Sequence, residues 1–486
     1  MYILNEDTIC APATVPGTGA ISVIRVSGAD ALIIADKVIK CRKGSISEAK
    51  GYTIKFGNVY DEDGAIVDEV LVSIFRAPHS YTGENSVEIS CHASSFIVSS
   101  IMNLLYSAGA RAAEPGEFTQ RAFLNGKMDL AQAEAVADVI ASQNAAAHRI
   151  AFKQMKGGFS SELRDMRGEL LELVSLMELE LDFSEEEVEF ADRSRLDGLL
   201  VALIDHITRL IDSFKLGNAI KNGIPVAIAG ATNTGKSTLL NALLGEDRAI
   251  VSDVHGTTRD TVEETMNIDG ILFRFIDTAG LRETEEVVEK IGIERTFKKI
   301  SEASIIIGMV DLTRDYDSTC ETVREIIEKV DFDTQKLVFL LNKTDICEVN
   351  KNVSALNYIV SSLENKGVKS DIVISIDGAS EKTPIIPISA KTGTGIDILR
   401  AVLASSQRDL LADSDTTLVT HQRHVQALSD SRTSLLRVRD GLATGLPTDL
   451  AAQDIREAIY HLGSIVGEIS TDEVLGNIFR NFCIGK

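Results

Sequence analysis

The sequence is poor in the features that mark metal-binding, secreted and membrane proteins. Its six cysteines are scattered without a C-x-x-C pair, which argues against both a zinc site and a disulfide framework. It has no apolar run of 18 or more residues and no signal-peptide pattern. We therefore expect a cytoplasmic protein without a membrane-spanning segment.

Positive charge is also scarce. The 49 lysines and arginines are outnumbered by 72 aspartates and glutamates, and the formal net charge is −23. Such a chain repels a phosphate backbone, so any contact with nucleic acid must be local and selective. The length of 486 residues exceeds one ordinary core and predicts two to four domains.

The octapeptide at 230–237 is the most specific motif in the chain. It reads Gly-Ala-Thr-Asn-Thr-Gly-Lys-Ser and matches the phosphate-binding loop G-x-x-x-x-G-K-[ST]. A short apolar run at 224–229 precedes it and a helix-compatible stretch follows it, which is the strand–loop–helix context that the motif requires. In such a loop Lys236 supplies positive charge to phosphate, and Ser237 offers a hydroxyl to magnesium.

Four later segments, in the order typical of GTPases, favour GTP over ATP. Thr258 lies in a polar loop and can provide a second magnesium ligand, and Asp277-Thr278-Ala279-Gly280 follows an apolar, strand-like run. Asn342-Lys343-Thr344-Asp345 follows another such run. The carboxylate of Asp345 can accept both N–H protons of guanine, a donor pair that adenine lacks. Ser389-Ala390-Lys391 completes the predicted base pocket.

Two groups that small signalling GTPases use in hydrolysis are missing from this pattern. Leu281 follows Gly280, at the position of the glutamine that usually orients the attacking water, and the sequence identifies no arginine finger. A partner, a second subunit or a bound cation must then stabilise the transition state. Asn233 and the stretch at 252–257 offer oxygen ligands for a monovalent ion.

The region before these motifs has a different pattern. Residues 1–126 are rich in short β-type runs mixed with helical stretches, which predicts an α+β domain with its own core. Arg25 and Glu88 are charged residues within apolar strands. Ordinary outward alternation and a polar ligand pocket are both compatible with that pattern.

Helical periodicity dominates on both sides of the GTPase motifs. The segment 130–156 has few helix breakers and predicts one continuous helix, and helical patterning resumes at 418–440 and 449–467. We therefore predict a multidomain fold with an α+β N-terminal domain, an α-helical bundle, and an α/β P-loop (Ras-like) GTPase domain inserted into the bundle. The predicted boundaries are 1–126 for the N-terminal domain, 127–220 and 409–486 for the bundle, and 221–408 for the GTPase domain.

The chain ends in a small-residue tail, Phe482-Cys483-Ile484-Gly485-Lys486, after a short helix. Such a terminus is normally frayed and inert. The sequence offers nothing beyond the nearby Lys486 and Arg480 to lower the pKa of Cys483. A catalytic thiol is therefore the weaker alternative to a positioning role for the tail.

Several short motifs outside the GTPase set carry a resemblance to a known family. They are Asp7-Thr8-Ile9, Ala13-Thr14, Arg25-Val26-Ser27-Gly28, Ser80-Tyr81-Thr82-Gly83-Glu84, Pro115-Gly116-Glu117-Phe118-Thr119, Arg121-Ala122-Phe123-Leu124-Asn125 and the terminal pentapeptide. With them, the chain resembles the MnmE (TrmE) family of tRNA modification GTPases along its full length.

The resemblance implies activities, cofactors and partners. The N-terminal domain would bind 5-formyltetrahydrofolate or a related one-carbon tetrahydrofolate and form a homodimer. Potassium-dependent dimerisation of the GTPase domain would activate hydrolysis of GTP with Mg²⁺. In a heterotetramer with the FAD-containing flavoprotein MnmG, the family adds an aminomethyl or carboxymethylaminomethyl group to C5 of the wobble uridine of certain tRNAs.

The resemblance also implies roles for individual residues. The expected folate contacts are Arg25, Glu88, Lys127 and Lys486. The expected potassium ligands are Asn233, Ser252, Thr257 and the carbonyl of Val254, and the expected magnesium ligands are Ser237 and Thr258. Glu289 would be the general base in place of the missing glutamine. The expected GTP contacts are Asn233, Thr234, Gly235, Lys236, Ser237, Thr238, Ser252, Val254, Thr257, Asp277, Thr278, Ala279, Gly280, Asn342, Lys343, Asp345, Ser389, Ala390 and Lys391.

The chain departs from the family pattern at three places. Ala231-Thr232 stands where Arg-Pro is usual, Ala93-Ser94 stands where a glycine pair is usual, and Thr18 replaces a common arginine. The second departure bears on the folate pocket, because a Cβ now occupies positions where glycine is free to adopt φ > 0.

A rival function from a different class stays open. The chain would then be a GTP-regulated assembly or binding module, similar to ribosome-assembly GTPases, whose flanking domains only hold partners. The N-terminal domain discriminates between the two hypotheses. A one-carbon folate bound there indicates modification chemistry, and its absence favours the assembly module.

Overall fold

The computed structural model describes residues 7–182, 193–245, 263–276, 303–347, 349–372, 383–406, 417–444, 447–468, 472–480, 482 and 485. The chain divides into two compact units. One comprises Met1–Ala141, Ala151–Thr208 and Arg423–Lys486, and the other comprises Ser142–Ile150 and Arg209–Gln422. The domain boundaries given above remain a prediction.

The first unit begins with a seven-stranded sheet. Its strands are β1 (Ile9–Pro12), β2 (Ile21–Ser27), β3 (Ile39–Cys41), β4 (Thr53–Tyr60), β5 (Ile66–Phe75), β6 (Ser86–His92) and β7 (Arg111–Ala112). Their spatial order is β3-β4-β5-β6-β2-β1-β7. Neighbouring strands are antiparallel except β1 and β7, which are parallel.

Two helices cover one face of this sheet, and several strands carry exposed side chains on the other, which we call the open face. Side chains alternate between the faces of a strand, so Val70 and Val72 of β5 are buried while Leu71 between them is 48% exposed. The buried face packs against α1 (Ala31–Val38) and α2 (Ser95–Ala108) in one apolar core. The α+β class predicted for this region is confirmed.

Longer helices follow the N-terminal sheet. They are α3 (Glu117–Leu124), α4 (Leu130–Ala141), α5 (Ala145–Met155), α6 (Gly158–Asp182) and α7 (Arg193–Asn222). The prediction of one helix over 130–156 is wrong, because α4 ends at Ala141 and a separate helix, α5, begins at Ala145. The side chain of Asn144 accepts a hydrogen bond from the backbone N–H of Ala147 at 2.7 Å. An asparagine that caps a new helix in this way competes with continuation of the preceding one.

A second seven-stranded sheet forms the centre of the other unit. Its strands are β8 (Ile224–Ala229), β9 (Glu263–Ile268), β10 (Ile271–Ile276), β11 (Ile305–Asp311), β12 (Lys336–Asn342), β13 (Ser370–Ile372) and β14 (Thr383–Pro387). Their order is β13-β14-β12-β11-β8-β10-β9. Pairing is parallel throughout except for the β9–β10 hairpin. The helices of this sheet are α8 (Lys236–Leu244), α9 (Tyr316–Lys329), α10 (Val349–Glu364) and α11 (Ile396–Ser405).

The strand composition explains this parallel arrangement. Every residue of β11 is buried, as expected for a parallel strand that is covered on both faces. The carboxyl ends of parallel strands meet at one edge, so the loops after β8, β12 and β14 come together there. The predicted α/β P-loop fold of this region is confirmed.

The chain then returns to helices: α12 (Gln422–Thr444), α13 (Thr448–Val466) and α14 (Asp472–Phe479). Ile455 and Leu462 of α13 are buried, but Leu450 is 47% exposed. A step of five residues rotates Leu450 about 140° away from Ile455 around a helix of 3.6 residues per turn. Across the described helices, none combines the length and apolar character needed to span a bilayer.

Candidate GTPase site and N-terminal ligand site

The phosphate loop connects β8 to α8 and needs glycine at two positions. Gly235 has φ +97°, and a Cβ there would lie 2.6 Å from Nδ2 of Asn342. A Cβ on Gly230 would lie 2.5 Å from the carbonyl oxygen of Met309. Because both neighbours are held in place, any side chain at either glycine forces the loop open. The sequence motif therefore corresponds to a real constraint on the backbone.

The polar groups of this loop have the exposure that phosphate and metal binding require. Lys236 donates from Nζ to the carbonyl oxygens of Gly230 and Ala231, each at 2.9 Å, so its charge lies over the loop. Ser237 is exposed in the first turn of α8, and Asn233 is exposed in a left-handed conformation with φ +63°. Both side chains can thus reach a ligand outside the loop.

Asn342 at the end of β12 joins the phosphate loop to the loop after β14. Its Nδ2 donates to the carbonyl oxygen of Thr234 at 2.7 Å, and its Oδ1 accepts from the backbone N–H of Ala390 at 3.0 Å. Asn342, Thr234 and Ala390 are all buried. Three of the predicted motifs therefore form one hydrogen-bonded structure.

The rest of the predicted base pocket extends from these anchors. Asp345 and Lys391 are exposed, one after β12 and the other after β14. The hydroxyl and the backbone N–H of Thr344 both donate to the carbonyl oxygen of Ile388, at 2.9 and 3.2 Å. The backbone N–H of Ser389 donates to the carbonyl oxygen of Thr394 at 3.0 Å. These bonds fix two loops that carry accessible charged ends.

Sequence reasoning missed Asp311, the last residue of β11. Lys343 has φ +68°, and its Nζ donates to Oδ2 of Asp311 at 2.7 Å. Burial alone would raise the pKa of the Asp311 carboxyl, but hydrogen bonds from Lys343 and Thr313 hold the pKa below its ordinary value. The sequence contained a signal for this residue, because Asp311 is an aspartate at the end of an apolar run. Asp311 therefore fixes the side chain of Lys343 in the loop after β12.

The N-terminal sheet carries a second candidate site on its open face. Arg25 of β2 lies directly opposite Glu88 of β6. Its Nη2 and Nε donate to Oε1 of Glu88 at 2.8 and 3.0 Å. The guanidinium lies over the rings of Tyr81 and Phe118, with centroid distances of 5.1 and 5.6 Å. Outward alternation alone does not require a half-buried ion pair that packs against two aromatic rings. These contacts therefore favour a ligand pocket, whose aromatic floor is formed by Tyr81 and Phe118.

One loop links Lys127 to this pair. Nζ of Lys127 donates to the carbonyl oxygen of Pro78 at 3.0 Å. A few residues further on, Tyr81 contacts Arg25 and bonds through its hydroxyl to Thr119 at 2.9 Å. Segment 78–81 therefore connects three of the predicted folate ligands, Arg25, Glu88 and Lys127.

The two described residues of the carboxyl-terminal tail, Phe482 and Gly485, contact the fold, unlike the frayed terminus predicted from the sequence. Gly485 is buried with φ +98°, and a Cβ on it would collide with the carbonyl oxygen of Pro12 in β1. The ring of Phe482 packs against that of Phe479, with centroids 5.5 Å apart. Ala11, next to Pro12, pairs with Arg25 in the sheet. Gly485 is therefore held against β1, the neighbour of the strand that carries Arg25.

Comparisons with known proteins agree with this arrangement. The family model of the MnmE helical domain matches residues 130–483, and the model of the GTP-binding protein TrmE N-terminus matches residues 8–127. The tRNA modification GTPase MnmE of Bacteroides thetaiotaomicron is 50% identical to the chain, over 99% of the chain and 100% of that protein.

The chain belongs to the MnmE family of tRNA modification GTPases. Other members of the MnmE family are similarly related. The protein from Parabacteroides distasonis is 51% identical over 99% of this chain and all of that one, and the protein from Flavobacterium johnsoniae is 49% identical over the full length of both. Among solved structures, the FeoB G-domain from Methanococcus jannaschii is 23% identical over 38% of this chain and 98% of that one, with a TM-score of 0.25.

The departure from the MnmE pattern at Ala93-Ser94 introduces no backbone strain. Neither residue is among the non-glycine residues that have positive φ in the described part of the chain. Ser94 is extended, with φ −102° and ψ 133°, and precedes the first turn of α2. Its carbonyl oxygen accepts from the backbone N–H of Val98 at 2.9 Å. A glycine is therefore not needed at either position.

Part of the predicted MnmE-type site lies outside the described residues. This applies to Ser252, Val254, Thr257, Thr258, Asp277, Thr278, Ala279, Gly280, Glu289, Cys483 and Lys486. Their roles stay predictions.

Proposed function

We propose that this GTPase drives the modification of tRNA, adding an aminomethyl or carboxymethylaminomethyl group to C5 of the wobble uridine. The N-terminal ligand site carries this proposal, because a chain that only hydrolysed GTP and held partners would not need it. Arg25 and Glu88 are paired over an aromatic floor, with Lys127 and the docked tail close by in the fold. We assign this site to 5-formyltetrahydrofolate or a related one-carbon tetrahydrofolate.

The chemistry of the site suits such a ligand. A tetrahydrofolate has a flat pyrimidine ring with N–H groups that can donate hydrogen bonds to Glu88. It also has an acidic tail, which Arg25, Lys127 and Lys486 can bind. The aromatic floor of Tyr81 and Phe118 provides apolar contact area beside the charges. A folate bound there supplies the one-carbon unit, and the protein residues hold and orient it.

In the GTPase domain, we assign guanine recognition to Asp345 and phosphate binding to Lys236 with the backbone of its loop. Ser237, exposed at the start of α8, and Thr258 would ligate Mg²⁺, which bridges phosphate oxygens and neutralises their charge. Glu289 would accept the proton of the attacking water. The remaining GTP contacts are those of the motifs named above.

We assign the missing positive charge to a potassium ion. Asn233 fits this role, because it lies in the phosphate loop with a left-handed backbone and an exposed side chain that carries an amide oxygen. Ser252, Thr257 and the carbonyl of Val254 would complete the oxygen ligands. The ion would supply the charge that an arginine finger supplies in other GTPases.

The open face of the N-terminal sheet supports a homodimer. Ile21 and Leu71 are 67% and 48% exposed on that sheet, which is apolar surface that a partner can cover. We propose that a second copy packs there and leaves the edge strand β3 accessible. We further propose that the chain acts in the cytoplasm, where tRNA is found. It would form a heterotetramer there with an FAD-containing MnmG-like flavoprotein.

Nucleoside analysis of tRNA tests this function directly. Cells that lack the protein should lose the C5 substituent of the wobble uridine, wild-type chain should restore it, and Arg25→Gln should not. In parallel, purified wild-type chain should bind 5-formyltetrahydrofolate in a calorimetric titration. Unchanged tRNA nucleosides together with no folate binding would favour the assembly-module hypothesis instead.

A further inference from the structure

A short segment of this acidic chain is strongly basic. Residues 37–55 contain six lysines and arginines and one glutamate, a local net charge of +5 in a chain of net charge −23. The segment includes β3, which is the edge strand of the N-terminal sheet, and the start of β4. A polyanion that is repelled by the rest of the surface is accepted at such a patch.

The fold gathers these cations at one corner of the sheet. Nζ of Lys55 donates to the carbonyl oxygen of Lys43 at 2.8 Å. The guanidinium of Arg42 lies 4.4 Å from the ring centroid of Phe56, the residue after Lys55. The loop that carries Lys50 is tied to the same corner, because Nε of Arg76 donates to the carbonyl oxygen of Ala49 at 2.8 Å. We call Arg42, Lys43, Lys50, Tyr52 and Lys55 the basic patch.

Tyr52 is the unusual member of the basic patch. It has φ +59°, a conformation that is rare for a bulky residue, and it is 73% exposed. Its backbone N–H donates to the carbonyl oxygen of Ile74 at 2.7 Å, and its ring meets Phe75 edge-on at 5.9 Å. A turn residue with a strained backbone that presents an aromatic ring to solvent is a candidate binding position.

The charges of the basic patch are available to a ligand. Arg42 has a loose ion pair with Glu69 at 3.4 Å in which both side chains are exposed. Within the described part of the chain, Lys43 and Lys50 are exposed and form no ion pair. Lysines on an edge strand also discourage edge-to-edge association. That role does not explain an exposed tyrosine held at positive φ.

We propose that the basic patch binds an unpaired loop of tRNA. Its cations neutralise backbone phosphates, and the ring of Tyr52 stacks on an exposed base. Stacking on an aromatic side chain requires an unstacked base, which single-stranded RNA loops offer and duplexes do not. This inference rests on the proposed function, which makes tRNA the substrate, and it adds the surface that holds it.

Binding of a fluorescent tRNA transcript to the full chain, measured by anisotropy at several KCl concentrations, tests the role of the charges. The double variant Lys43→Gln with Lys50→Gln should bind more weakly and should lower the slope of log Kd against log salt by about 1.4 to 1.8, the value for two lost phosphate contacts. The double variant Lys366→Gln with Lys369→Gln removes two exposed lysines of the GTPase unit and should bind like the wild type.

Two substitutions at Tyr52 test the stacking. Tyr52→Asn removes the ring but tolerates a left-handed backbone, and it should weaken tRNA binding roughly 5- to 150-fold with an unchanged salt slope. Tyr52→Phe should keep most of the affinity. The thermal denaturation midpoint of the full chain and GTP hydrolysis without tRNA should be close to those of the wild type in all these variants, which shows that both units are folded.

Each other outcome contradicts the inference in a recognisable way. Wild-type affinity and slope in both the lysine and the tyrosine variants would place tRNA elsewhere and leave the proposed function intact. A changed oligomeric state in size-exclusion chromatography would make the basic patch an interface between copies of the chain. Lost binding of the flavoprotein with retained tRNA binding would assign it to that partner. If the wild type itself binds no tRNA, the proposed function fails and this inference fails with it.

Discussion

The side chain of Asn342 donates a hydrogen bond to the carbonyl oxygen of Thr234 at 2.7 Å, and both residues are buried. Thr234 belongs to the phosphate loop, and Asn342 begins the segment to which we assign guanine recognition. The same amide accepts a bond from Ala390 in the third motif. One side chain therefore keeps the phosphate and base subsites in a fixed relation.

The substitution Asn342→Ala should damage GTP binding and the stability of the GTPase unit together. It leaves a buried carbonyl and a buried N–H without partners, at a cost of about 1–3 kcal/mol each. We expect GTP affinity, measured with a fluorescent analogue, to fall by at least tenfold and the denaturation midpoint to fall as well. Asn357→Ala, at an exposed position on α10, is the control. Wild-type affinity in Asn342→Ala would show that the bridge is dispensable.

Base choice should depend on Asp345. In Asp345→Asn a donor replaces one of two acceptors, so one hydrogen bond to guanine is mismatched and the other is no longer charged. At about 1.5 kcal/mol or more for each charged bond, GTP affinity should fall roughly 100-fold. Xanthosine triphosphate should bind more tightly to the variant than to the wild type. That gain is the internal control for folding, and unchanged GTP affinity would contradict the guanine-pocket assignment.

Hydrolysis should be much faster in potassium than in sodium, because the smaller ion fits the same oxygen ligands poorly. The variant Asn233→Ala should lose this difference while it keeps GTP affinity. Thr232→Ala, an exposed neighbour in the same loop, should retain it. The measurement is the GTP turnover rate of each variant in KCl and in NaCl at equal ionic strength. A full potassium response in Asn233→Ala would place the ion elsewhere.

The docked tail should matter for folate but not for GTP. In Gly485→Val the new side chain has no room against Pro12 and should displace the tail. Deletion of residues 483–486 removes the tail altogether. Both variants should bind 5-formyltetrahydrofolate more weakly and fail in tRNA modification, with GTP hydrolysis intact. Cys483→Ser should behave like the wild type. A serine variant that binds folate but is inactive in modification would instead assign chemistry to the thiol.

Acid should destabilise the first unit through Glu134. This carboxylate of α4 is buried against His424 at 2.7 Å and Arg423 at 2.8 Å. Burial alone would raise its pKa, but His424 and Arg423 hold the pKa well below the ordinary value of 4.5. A lowered folded-state pKa stabilises the fold above pH 4.5, and this stability is lost as the pH falls below that value.

Chemical denaturation between pH 7 and pH 3.5 tests this linkage. Glu134→Gln should lower the free energy of unfolding at pH 7 by about 3–5 kcal/mol, the typical cost of breaking a buried ion pair. It should also flatten the dependence on pH. Glu172→Gln, at an exposed position on α6, should change neither quantity. Equal pH dependence in wild type and Glu134→Gln would show that another group controls the acid transition.

The sequence by itself determined the local elements and the nucleotide motifs. Strand β8 has the bounds of the predicted apolar run at 224–229, and the phosphate loop lies between β8 and α8. These features depend on neighbouring residues, so periodicity and motif spacing are enough to find them. The loops after β12 and β14 could be placed at the same edge because parallel strands end together.

Only the tertiary structure decided which distant residues meet. The pairing of Arg25 with Glu88 depends on strand register, the contact of Lys343 with Asp311 depends on sheet order, and the burial of Gly485 depends on β1 lying beside it. The break before Asn144 arises from a cap that competes with a good helical pattern. Local patterns do not specify the first three contacts, because each joins groups that are far apart in the sequence. The cap at Asn144 is local, but it and continuation of the helix are nearly balanced in energy.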